Sequence, residues 1–123
     1  MAFFLAIETT TKNCSVAIFK DCNLIAHQES NTDRYSHAEQ LTSFIEEIMR
    51  KSTFPLQRLD AVILSKGPGS YTGLRIGTST AKGLCYSLGI PLISISTLKS
   101  MAFFISKKYD YKFYCPMIDA RRM

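Results

Sequence analysis

An apolar run, Asp60-Ala-Val-Ile-Leu-Ser65, leads directly into Lys66-Gly-Pro-Gly-Ser-Tyr-Thr-Gly-Leu-Arg-Ile-Gly77, and a helical pattern then continues to Leu88. A buried strand, a glycine turn and a helix in immediate succession restrict the chain to layered α/β arrangements, because so short a connection lays the helix back on its own strand. Gly67 and Gly69 are expected to take positive φ at the turn, with Pro68 stiffening it. Ser70 or Thr72 can cap the new helix through a side-chain oxygen. Such a junction aims backbone N–H groups outward, as an anion site does. Arg75 lies in the first turns, where a cation meets the positive helix end at a cost of roughly a few tenths of a kcal/mol. It therefore calls either for an external acidic or phosphate partner or for a carboxylate nearby.

The loop is not a Walker A motif. Five places beyond Gly67 stands Thr72 and five beyond Gly69 stands Leu74, with no Lys-Ser/Thr following. It is not a nucleophile elbow either, since Ser70 lacks the glycine two places on. The residues alone leave a turn with anion-binding potential and no assigned reaction.

A chain of 123 residues, 46% hydrophobic and 11% aromatic, is enough for one domain with a real core. The formal charge of +5 permits contact with RNA or an acidic partner without establishing either. The basic residues are spread out apart from Lys107, Lys108 and Lys112 and the terminal Arg121 and Arg122. Cys14, Cys22, Cys85 and Cys115 form no C-x-x-C pair, and His27 and His37 have no metal-ligand spacing. The apolar start breaks at Glu8 and lacks a basic leader, and no run approaches the ~20 residues of a membrane span. The expectation is a reduced, cytoplasmic protein with free thiols and no membrane contact.

In chain order, Ala2–Ile7, Ser15–Phe19 and Leu24–Gln28 read as a three-stranded antiparallel meander. From Ser36 a helix follows, with His37, Leu41, Phe44, Ile45, Ile48 and Met49 on one stripe. After Pro55 come the strand at 60–65, the glycine loop and a helix over about 73–88. Gly73, Gly77 and Ala81, with Thr78 beside them, make a small-residue stripe, while Leu74, Leu84 and Leu88 are expected to anchor that helix to the sheet. Leu92–Ser96 is a strand, 98–109 a helix capped by Ser96 or Thr97, and Lys112–Ile118 a last strand.

GPGSYTGLRIG, with AKGL at 81–84, resembles the signature of the TsaB (YeaZ-type) family of tRNA threonylcarbamoyladenosine biosynthesis proteins. LAIETTTKNCSVAI near the start, RYSHAEQL at 34–41, ISTLKSMA at 95–102 and IDARRM at the end agree in order and spacing. The resemblance implies one lobe of the actin/hexokinase/Hsp70-type ATPase fold, ribonuclease H-like, occupying 1–110, with 111–123 opening a truncated second lobe. It implies that Glu8, at the end of the first strand, and Thr9, Gly67, Gly69 and Ser70 make weak nucleotide or phosphate contacts. The Thr9–Asn13 turn lacks glycines and is a poor phosphate cradle, and an acidic strand end in a solvated hairpin accounts for Glu8 equally.

The related catalytic subunit, TsaD, carries a metal-binding His-x-x-x-His after the strand that follows the glycine-loop helix. This chain has Ser94-Ile-Ser-Thr-Leu-Lys-Ser-Met-Ala102 there, and hydroxyls and an amine do not replace imidazoles. The resemblance thus implies a non-catalytic subunit that supports a TsaD-type protein, with a TsaE-type ATPase subunit and tRNA reached through the complex. ATP or ADP would belong to that assembly, with no cofactor tightly bound and no metal. His37, Leu41, Phe44, Ile48, Arg75, Gly77, Thr78 and Ala81, on the first two helices, would face TsaD or a second copy in a homodimer. The rival readings are a glycoprotease-like peptidase or nucleotide hydrolase of the same superfamily, and a basic RNA-binding module.

Overall fold

Alternation decides which side of the first strands is buried. In β1 (Phe3–Glu8) Phe3, Leu5 and Ile7 are buried, and in β2 (Asn13–Lys20) Cys14, Val16 and Ile18 are, so both strands turn one face to a common core. The computed structural model describes residues 1–31 and 37–119. The side chains of 37–39 lie outside the described residues, as do Arg34–Ser36 of RYSHAEQL and Ala120–Met123 of IDARRM. The remaining elements are β3 (Asn23–Asn31), α1 (His37–Lys51), a 3₁₀ turn at Leu56–Arg58, β4 (Ala61–Ser65), α2 (Tyr71–Leu88), β5 (Leu92–Ile95) and α3 (Thr97–Lys108).

The five strands form one mixed sheet in the order β3-β2-β1-β4-β5. β2 pairs antiparallel with β1 and β3, which bears out the meander, whereas β4 runs parallel to β1 and β5 parallel to β4. Asp21 takes a positive φ of 54° in the β2–β3 turn, and its Oδ1 accepts from the Ala2 amide, tying the chain start to that hairpin. Ile25 makes the β2–β3 ladder irregular, since Ile18 pairs with Ala26 but Phe19 pairs with Leu24.

α1 packs on β2 and β3 through Leu41, Ile45, Ile48 and Met49, and α2 packs on β4 and β1. The face α2 buries is Gly73, Gly77, Ala81 and Cys85. Leu84 and Leu88 are half-buried and pack against the core beside this face, as expected of anchoring leucines, while Leu74 is half-buried. Small side chains line the face itself because the helix axis must come close to the end of β1, as the site geometry shows.

Lys112–Ile118 forms no strand. A lone extended segment has no partner for its backbone groups, and no described strand runs beside it. Instead the Tyr114 hydroxyl donates to Tyr109 O and accepts from the Tyr111 amide at 3.0 Å, closing a local turn. Among the described residues, no helix is long and apolar enough to cross a membrane.

Candidate functional site

The parallel register of β1 and β4 pairs Ile7 with Leu64, which brings the next residues, Glu8 and Ser65, to the same edge of the sheet. Ser65 Oγ donates to Glu8 Oε2, and Thr10 Oγ1 donates to Glu8 Oε1. The Thr10 amide adds a third bond to Oε1 at 3.3 Å. Both carboxylate oxygens are thus engaged by hydroxyls of the two turns that begin there.

The glycine loop closes over this edge. Gly67 has φ 116°, open in practice to glycine alone, and the Gly67–Pro68 peptide is cis. Gly69 was expected to need positive φ and does not. It is glycine for space: a Cβ there would lie 2.7 Å from Thr10 O and 2.9 Å from Thr10 Cα. The Ser70 amide donates to Thr10 O at 2.6 Å, and Ser70 Oγ, rather than Thr72, caps α2 by accepting from the Gly73 amide at 3.2 Å. One turn on, Thr9 Oγ1 donates to Gly73 O at 2.7 Å, and a Cβ on Gly77 would overlap that same Thr9 oxygen. The Gly67 carbonyl accepts from the Thr97 amide at 2.9 Å, which fastens the loop to the start of α3.

Glu8, Thr9, Gly67, Gly69 and Ser70 therefore meet at one place. Their polar groups are turned on one another: Thr9 and Thr10 are buried, and the Ser70 amide and hydroxyl are both used. The Thr9 hydroxyl and the Ser70 amide are thus already used inside the fold. Gly69 and Ser70 also line a solvent-open cleft of about 820 Å³, together with Thr10, Thr11, Lys12 and Tyr71 among others. A smaller pocket of about 410 Å³ lies beside Glu8, Ser100 and Met101, and the buried Thr97 Oγ1 on its wall has no hydrogen-bond partner among the described residues.

Of the residues assigned to a partner surface, Leu41, Ile48, Gly77 and Ala81 are core residues, with Leu41 and Ala81 at most 1% exposed. Burial against the sheet removes them from contact with another molecule. Phe44 and Thr78 are half-buried and Arg75 is exposed. His37 begins α1, and its side chain lies outside the described residues. Arg75 has its guanidinium 5.5 Å from the Tyr71 ring, and no described carboxylate pairs with it. The sequence reading missed Thr10, Ser65 and Thr97. An acid and a hydroxyl at matching ends of two apolar strands was the available signal for Ser65.

The four cysteines are free, and burial pushes the Cys14 and Cys85 thiols up, with a backbone hydrogen bond from Val62 opposing it at Cys85.

The family model described as TsaD, tRNA N6-adenosine threonylcarbamoyltransferase, matches residues 25–123. Over 118 residues the chain is 38% identical to the tRNA threonylcarbamoyladenosine biosynthesis protein TsaB of Buchnera aphidicola from Acyrthosiphon pisum, covering 96% of this chain and 52% of that protein. The structure of YeaZ from Pseudomonas aeruginosa superposes with a TM-score of 0.80 at 27% identity, covering 88% of this chain and 49% of that one. A Thermus thermophilus RuvC, solved with a Holliday junction substrate, matches at 0.55 with 10% identity, covering 83% of this chain and 70% of that one, which shows the shared ribonuclease H-like fold alone. The chain spans about half the length of the curated TsaB relative. With the glycine junction, the five-stranded mixed sheet and these likenesses in agreement, the chain belongs to the TsaB (YeaZ-type) and TsaD family of tRNA threonylcarbamoyladenosine proteins.

Proposed function

We propose that this chain is a lobe of a non-catalytic subunit that acts in tRNA threonylcarbamoyladenosine synthesis by supporting a TsaD-type catalytic protein. The observation that carries the reading is the strand-to-helix step at Ser94–Ala102, from β5 into the first turns of α3. It holds serines, threonine and lysine, and no histidine. Beside it, the Glu8 carboxylate is held by Thr10 and Ser65, so the junction works as a brace between β1, β4 and α2. A brace of this kind stiffens α2, and a stiff helix pair presents a defined surface to a partner.

The partner surface is the outer side of α1 and α2, with Arg75 exposed and Phe44 and Thr78 half-buried at its edge. A second copy of the chain would use the same surface in competition with TsaD. A TsaE-type ATPase and the tRNA would join through the catalytic subunit. Nucleotide, as ATP or ADP, would enter with the assembly, since the Thr9 hydroxyl and the Ser70 amide are already used inside this lobe.

Co-expression of the chain with a tagged TsaD-type protein tests the reading. A stable one-to-one complex that loses affinity in Arg75→Glu, with the fold intact by circular dichroism, is the expected result. Failure to associate, or turnover by the chain alone, overturns it.

A further inference from the structure

We draw no further inference here: the strongest candidate, the pocket of about 410 Å³ beside Glu8 whose wall carries the buried Thr97 hydroxyl, belongs to the strand-end junction already described and restates the phosphate position that the family resemblance implies.

Discussion

Two glycines, Gly69 and Gly83, have opposite reasons for being glycine. A methyl on Gly69 would drive into Thr10 backbone that the Ser70 amide holds, so Gly69→Ala should destabilise the fold by roughly 1–3 kcal/mol in urea titration. Gly83 has nothing within 4 Å of where a Cβ would go, and in mid-helix Gly83→Ala should stabilise by up to about 1 kcal/mol. Ala81 belongs with the first. At 0% exposure, Ala81→Leu should cost roughly 1–3 kcal/mol through overpacking, and the sequence-based assignment of Ala81 to a partner surface fails on that burial. The thiols divide as well: Cys22 and Cys115 are exposed and should alkylate quickly in native protein, while Cys14 and Cys85 should react only on unfolding. Burial raises the folded pKa of both inner thiols above the ordinary value, so the neutral form is favoured by the fold. Their contribution is complete below about pH 8.5 and is lost as pH rises through the folded-state values. Urea midpoints should therefore fall as pH rises above the ordinary thiol range, and less steeply in Cys14→Ala.

Among the elements, α2 depends most on its first turn. Ser70 Oγ is the cap, and its backbone amide separately holds Thr10 O. Ser70→Ala removes one and keeps the other, so a loss of about 1 kcal/mol, with faster amide exchange confined to the first turn, is expected. A larger loss spread over β1 would mean that the cap also holds the Thr10 turn. The apolar patterns read the meander, α1, β4, α2, β5 and α3 to within two or three residues at the described ends, and β1, β2, α1, β4 and α2 supply the core. The segment 112–118 has strand composition without a neighbour to pair with, and composition cannot supply one.

For the molecule as a whole, the subunit reading predicts that the chain alone stays at the level of a heat-treated control in ATP hydrolysis and in threonylcarbamoyl transfer to tRNA. Adding a TsaD-type protein and its ATPase should restore transfer. Clear turnover by the chain alone in either assay would count against the reading.

Much of the architecture was legible in the residues. The apolar runs Ala2–Ile7 and Ser15–Phe19 marked strands, and the apolar run before Gly67 marked a buried strand turning into a helix. The motif series from LAIETTTKNCSVAI to ISTLKSMA pointed to the family that the comparisons show. What needed the tertiary structure was the purpose of each small residue. Gly69 reads as a turn glycine and Gly77 as part of a small-residue stripe, but they are glycines because Thr10 and Thr9, more than fifty residues away, come within contact of them. Glu8 looks like a free acid at a strand end until Ser65 arrives on the neighbouring parallel strand. Local periodicity depends on the chain's own repeat and survives in the sequence. A contact across the sheet depends on register and on the distance between two elements, and only the packed fold sets those.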